Sequence, residues 1–328
     1  MPRYAIMSQQ YPHEHSLGRG AQAPSQIPLR GWWQVLKRTW REATDDNLGL
    51  IAAGVAFYGF LAMVPLLASL VLTYGIVVDP AEAAKHIREW TAMVPRDAAS
   101  LIAEQLDGVV KTSSDKKGFG LVFALGLAIY GAMKGAQALI LALNIVYEES
   151  EKRGFVRLLI LQLVMVLAAV AVAIALLTAI SLSAALETFV AGVGAAAALL
   201  VKLCGWLVAA ALASAAVATL YRVAPSRANP CWRWVTPGSI FATIGVLATT
   251  AGFGWYAASL GDYNATYGSL GGVVVLLLWL WLSAYVLMLG AELNAELERQ
   301  TEHDSTTGPE RPLGERGAKM ADVVAPEG

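Results

Sequence analysis

A few polar residues interrupt long apolar runs, and these are the ones placed to do chemistry. Lys134 is the single charge between Phe119 and Tyr147, and Asn144 lies near the end of that stretch, beside Glu148 and Glu149. Glu292 and Asn294 follow an uncharged run from Gly268 to Ala291, with Glu296 one helical turn beyond Glu292. An ionisable group inside a membrane is costly unless it faces protein or water. Lys134 therefore reads in two ways: as a contact for a substrate, ion or lipid phosphate in a central cavity, or as a cation that snorkels or pairs, with Glu292 one partner. Glu292 and Glu296 share a helix face while Asn294 points elsewhere. They either gate a pathway or bind a cation, or they hydrogen-bond neighbouring helices; Glu296 is read as structural. Lys202, near the end of another apolar run, fits snorkelling first.

Other chemistries find no support. The four histidines (His13, His15, His86, His303) lie in terminal stretches or a long polar loop, without a Cys or carboxylate at ligand spacing, so no metal site is expected. No glycine-rich loop ends in Lys-Ser or Lys-Thr, which argues against ATP hydrolysis, and no cofactor is implied. Net charge is −1 and no basic patch is interleaved with aromatics, so nucleic acid is not an expected partner. Cys204 falls in an apolar run and Cys231 in a polar loop, which reads as two free thiols.

The elements that must position these residues are membrane helices. Hydrophobic residues make up 56% of the chain and charged ones 15%, too apolar for a soluble domain of this length. The fold class is all-α: a polytopic membrane protein whose partner is the lipid bilayer. Six spans are predicted, from Leu48 to Val78, from Phe119 to Tyr147, from Phe155 to Leu186, from Ala198 to Tyr221, from Pro237 to Leu260, and from Gly268 to Ala291. Each is long enough to cross a hydrocarbon core of about 30 Å. Residues 79–117 predict an external pair of short amphipathic helices. Residues 1–29 and 301–328 read as disordered tails flanking a membrane domain over 30–300, because they hold little apolar surface to offset ordering entropy. Trp32, Trp33, Leu36 and Trp40 recur at helical spacing opposite Lys37, Arg38 and Arg41, which predicts an interfacial helix, and Asp45, Asp46 and Asn47 offer caps for the span that follows.

Pro65 is expected to kink or break the first span, and Pro237-Gly238 to open the fifth. Both are candidate hinges or interruptions around a binding site. The pair Gly131 and Gly135, and the group Gly268, Gly271 and Gly272, would let helices approach closely. Lys152, Arg153 and Arg157 follow span two, and Arg222, Arg227 and Arg233 follow span four, whereas residues 187–197 and 260–268 hold no Lys or Arg. That bias predicts both termini in the cytoplasm.

Several of these stretches resemble the YihY/BrkB family of bacterial inner-membrane proteins. They are Asp46-Asn47 leading into Ala52-Ala53-Gly54-Val55-Ala56-Phe57-Tyr58, Pro65-Leu66-Leu67, Ala142-Leu143-Asn144-Ile145-Val146-Tyr147, and Pro225 after Tyr221. Pro237-Gly238 adds to them, and above all Tyr267-Gly268-Ser269-Leu270-Gly271 with Trp279, Ser283 and the run from Gly290 to Glu296. The resemblance covers about residues 30–300. It implies a six-helix protein of the bacterial inner membrane and carries a virulence-factor label and an older ribonuclease label, the latter unsupported by any nuclease cluster here.

Two functions follow. The first is translocation of a lipid or other amphiphile, since an intramembrane Lys and interrupted helices suit a permease. The second is a membrane scaffold that docks an envelope protein, with Lys134 and the glycines merely holding helices together. The oligomeric state is not legible.

Overall fold

The computed structural model describes residues 17–74, 119–190, 192, 194–259 and 269–326. The predicted amphipathic pair at 79–117 and Gly268 lie outside them. Among the described residues every extended element is a helix: α1 (Leu29–Asp45), α2 (Leu48–Tyr74), α3 (Phe119–Val146), α4 (Phe155–Val190), α5 (Ala195–Val223), α6 (Trp232–Ser259), α7 (Ser269–Arg299) and the single turn α8 (Lys319–Asp322). Five of them are long and apolar enough to cross a membrane, and the bent pair α1–α2 makes up to six.

The spans close into a ring. Each of α2 to α7 packs on the next, α7 returns to α2, and α7 also touches α1, α3 and α8. This makes α7 the hub. Its contacts in the main core lie toward its C-terminal end, where Met288, Ala291 and Ala295 meet Leu143 of α3, Tyr147 just after it, Tyr221 of α5 and Val235 of α6. Elsewhere the outward faces are apolar and open, as Leu200 and Leu207 of α5 and Leu167 and Leu182 of α4 show; a lipid-facing surface has that composition.

The break between helices is not where proline alone predicts it. α2 runs unbroken from Leu48 to Tyr74 through Pro65, because one missing amide in a long span can be absorbed by its surroundings. The discontinuity lies at Asp46-Asn47, where α1 and α2 meet at 67°. Asn47 is left-handed, with φ 54°. Its side chain donates back to the Asp45 carbonyl rather than capping α2, while its own carbonyl accepts from Leu50 and Ile51. Likewise α6 begins at Trp232, so Pro237 sits in its second turn instead of opening it.

α1 is amphipathic in a different register from the predicted one. Leu29, Trp33, Leu36 and Trp40 are exposed, but Trp32 packs inward on the cluster of Val35, Trp234 and Leu297, and Arg38 is buried. The exposed stripe is the face an interfacial helix would lay on lipid.

Residues 17–28 and 301–326 correct the expectation of disordered tails, for both are folded onto the end of the bundle where α7 terminates. Ala21, Pro24 and Ile27 are buried, as are Thr301, Ser305, Arg316, Met320 and Ala321. Ala21 and Ile27 pack on Val35, Trp234 and Leu297, and many polar contacts add to this. The Glu302 amide donates to the Arg19 carbonyl, Thr301 Oγ1 to the Ala21 carbonyl at 2.6 Å, and Gln300 Nε2 to the Leu17 carbonyl at 2.7 Å. Arg316 donates to four backbone carbonyls, those of Glu302, His303, Arg311 and Ala321. A count of apolar residues does not register such bonds.

Candidate functional site

The end of α7 carries two ladders of polar side chains, and helical spacing sorts them. Glu292 and Glu296 face α1, while Asn294 and Glu298 face α6 and the connection before it. All four are essentially fully buried. At this depth a charge must be paired and hydrogen-bonded.

On the first ladder Glu296 is held by two arginines. Arg38 Nε of α1 donates to Glu296 Oε2, Arg38 Nη2 reaches Gln300 Oε1 at 2.6 Å, and Arg299 Nη1 reaches Glu296 Oε1 at 2.6 Å. Glu42 of α1 stands 3.5 Å from the same Arg299 nitrogen. Glu292, one turn toward the span, is different. Among the described residues its Oε2 has no hydrogen-bond partner, and the charges around it are those of Glu296, Asp46, Glu42 and Arg299.

On the second ladder Asn294 repairs a gap that Pro237 leaves in α6. Proline has no amide to donate, and the next amide, that of Gly238, donates to Asn294 Oδ1 at 2.7 Å; Asn294 Nδ2 donates to the Val235 carbonyl at 3.0 Å. The carboxamide thus satisfies both a donor and an acceptor at the disturbed turn. A turn below, Arg227 grips Glu298 with two parallel bonds of 2.7 and 3.0 Å, and Ser305 Oγ adds a third bond to the carboxylate. The guanidinium lies 4.0 Å from the centre of the Tyr147 ring. Burial works against the charge of Arg227, yet Glu298 and its hydrogen bonds hold the guanidinium above its ordinary basicity.

Asn144 ties a loop. Its Oδ1 accepts the Ser226 amide at 2.7 Å and its Nδ2 donates to Glu151 Oε2 at 3.1 Å. Arg153 beside it caps the free carbonyls of Val223, Ala224 and Pro225 at the end of α5, which are orphaned where the helix stops.

Asn144, Glu292 and Asn294 are therefore gathered at one end of the bundle, and Lys134 is not with them. It is exposed on the outer side of α3, donating to Gln137 Oε1 at 3.3 Å and lying 5.3 Å from the Tyr130 ring centre. Twelve residues, about 18 Å of helix, separate it from Val146. The central-cavity placement and the Glu292 pairing are not what the structure contains: among the described residues both of Lys134's partners lie on α3 itself. Among the glycines expected to permit packing, Gly135 abuts α2, where a Cβ would come within 2.9 Å of Ala62 Cβ. Gly131 is half-buried and Gly272 buried. The tightest approach involves Gly238 and Gly290: a Cβ on Gly238 would lie 1.9 Å from the Gly290 carbonyl oxygen. Gly238 is a packing residue as much as an interruption.

Sequence reasoning missed Arg38, Arg227, Glu298 and Arg299. The signal that could have found the acids was the i, i+4 repeat of Glu292 with Glu296 and Asn294 with Glu298; Arg299 is a local i, i+3 partner of Glu296, whereas Arg38 and Arg227 come from α1 and a loop, at separations no local pattern encodes. No group of three or more His, Cys, Asp or Glu arranged to hold a metal ion occurs among the described residues.

Known proteins are similar to this chain in sequence. The ribonuclease-like protein YfkH of Bacillus subtilis is 28% identical over 76% of this chain and 90% of its own length. A UPF0761 membrane protein of Nitrosospira multiformis is 28% identical over 77% of this chain and 58% of that protein, and one of Pseudoalteromonas translucida is 23% identical over 87% and 91%. No solved structure matches. Residues 39–314 fit the family described as Virulence factor BrkB, a match that takes in both polar ladders and all the described spans, and the chain belongs to that family of membrane proteins.

Proposed function

We propose that the protein moves a lipid or other amphiphile with an anionic head group across the bacterial inner membrane, and that it is not an enzyme. The observation that carries this is Lys134, a cation exposed about midway along a span on the outside of the bundle. A charge there is expensive in hydrocarbon unless something polar passes or binds beside it. The head group would travel along the outer face of α3, past Lys134, Gln137 and Tyr130, while its chains stay in lipid. Asn144 and Asn294 then act as fixed ties, and Glu292, buried with Oε2 unbonded among the described residues, is the ionisable group available to couple movement to protons. The basic residues at the end where the termini pack favour that end as cytoplasmic.

The test is lipid movement in proteoliposomes, followed by fluorescent phospholipids that dithionite bleaches in the outer leaflet. Wild type should bleach beyond the outer-leaflet fraction, and Lys134→Met should slow this about tenfold or more, with the folded amount matched. Unchanged rates in Lys134→Met would remove Lys134 from the path. A second reading, a scaffold that docks an envelope protein, is favoured by the folded cap over residues 17–28 and 301–326; absence of any movement by folded wild type would select it.

A further inference from the structure

The ends of α4 and α5 remote from the termini form a half-open cavity of about 150 Å³ lined by Ile180, Ser183, Glu187, Lys202, Gly205 and Trp206. A space of this size takes a benzene-sized group. Its floor is where the helices touch: a Cβ on Gly205 would lie 2.0 Å from Ser183 Oγ. Its walls carry one acid and one base, and neither is used. Among the described residues Glu187 and Lys202 have no ion pair and no hydrogen bond, although both side chains line the same small space.

Depth identifies the surroundings. Leu203 to Tyr221 carry no charge, and twenty residues separate Lys202 from Arg222, about 30 Å of helix, which equals the hydrocarbon thickness. Arg222 stacks on Trp232 at 4.5 Å at the other boundary. Lys202, Glu187 and Trp206 therefore stand at head-group level in the leaflet opposite the termini, with exposed Leu203 and Leu207 leading into the acyl region.

We infer that this cavity binds the head group of a zwitterionic aminophospholipid, a phosphatidylethanolamine. Lys202 Nζ donates to the phosphate, the Glu187 carboxylate accepts from the lipid's primary ammonium, and the Trp206 ring lies against the glycerol region, where amphipathic indoles concentrate. The pair of opposite charges sets the selectivity. A phosphatidylglycerol satisfies Lys202 but leaves Glu187 facing its anion, and a phosphatidylcholine has no N–H to give Glu187. Binding stands on its own; only use of the site as a loading point rests on the translocation reading.

The experiment is native mass spectrometry of the full chain, delipidated and offered equal amounts of phosphatidylethanolamine, phosphatidylglycerol and phosphatidylcholine with matched chains. Wild type should retain phosphatidylethanolamine about tenfold over the other two, the scale of one charge-assisted bond. Lys202→Gln should lower retention of all three, and Glu187→Gln should abolish the preference while leaving phosphatidylglycerol bound. Ala184→Phe, which fills the same space from an exposed position, should lower phosphatidylethanolamine retention without touching either charge. Equal retention of the three lipids by wild type, undiminished retention in Lys202→Gln, or undiminished preference in Glu187→Gln would overturn the site. Failure of lipid movement with this binding pattern intact would instead count against translocation alone.

Discussion

Replacing Arg227 with Met would leave the Glu298 carboxylate with Ser305 Oγ as its remaining hydrogen-bond donor, at a place where neither side chain of the pair is exposed. Stranding a buried charge in this way costs about 3–5 kcal/mol, more than the intact pair contributes over an apolar replacement. The stability of reconstituted protein against denaturing detergent should therefore fall sharply in Arg227→Met and recover in large part in Arg227→Met/Glu298→Leu. A double variant as unstable as the single would mean that the pair itself, and not the stranded charge, carries the energy. The same comparison separates two kinds of intramembrane charge. Lys134 is exposed and, among the described residues, bonded only within its own helix, so Lys134→Met should leave stability within about 0.5 kcal/mol of wild type while removing any movement that depends on it. Residue types alone flagged Lys134, Asn144, Glu292 and Asn294, because polar atoms in apolar runs are visible in one dimension. The partners of the two asparagines were not visible: the Ser226 amide reaches Asn144 and the Gly238 amide reaches Asn294 through helix packing, across 82 and 56 residues.

At the scale of elements the seam between α6 and α7 has the least tolerance. Gly238 and Gly290 approach so closely that a Cβ on either meets the other's carbonyl oxygen, at 1.9 and 2.6 Å, and the one on Gly290 would also meet Tyr221 Oη at 2.8 Å. Backbone cannot retreat as a flexible side chain can, so Gly238→Ala and Gly290→Ala should each cost about 1–3 kcal/mol or more through overpacking. Gly49→Ala and Gly54→Ala, where nothing lies within 4 Å, should instead be neutral or slightly stabilising, since alanine favours a helix. Thermal unfolding of the four variants checks the order, and a harmless Gly238→Ala would show that the helices slide apart freely. Asn294 belongs to the same seam, because its carboxamide fills the gap that Pro237 opens in α6. The spans themselves were legible, for twenty apolar residues in a row admit few readings. Their interruptions were less so. Pro65 looked like a break and is not one, whereas Asn47, which supplies a left-handed residue between α1 and α2, looked like a cap. A proline reports only a missing amide, and whether the helix stops depends on what its neighbours supply.

For the whole molecule, the terminal segments form a cap that seals the polar end of α7, and the cap is built from carboxylates accepting backbone and hydroxyl donors. Composition could not show this, because it weighs apolar area against entropy and does not register the cap's many hydrogen bonds, while Met320 is its one side chain in the main core. Asp304 is the clearest case. Burial works against its charge, but the Thr306 hydroxyl at 2.7 Å, the Thr306 amide at 2.8 Å and the Arg311 amide at 3.0 Å outweigh burial and hold the carboxyl below its ordinary value of 3.8. A carboxyl that titrates lower when folded binds fewer protons in the folded state, so its contribution is complete above the unfolded value and disappears as pH falls through the folded one. The cap should accordingly keep its stability down to about pH 4 and loosen below it. Hydrogen exchange of residues 302–322, corrected for intrinsic rates, should show protection falling in that acid range. Asp304→Asn should have weaker protection at neutral pH and a flatter acid response, because the amide cannot titrate. An Asp304→Asn response identical to wild type would assign the acid sensitivity to another carboxylate of the cap, with Asp322, which accepts the amides of Gly314, Arg316 and Gly317, next in line.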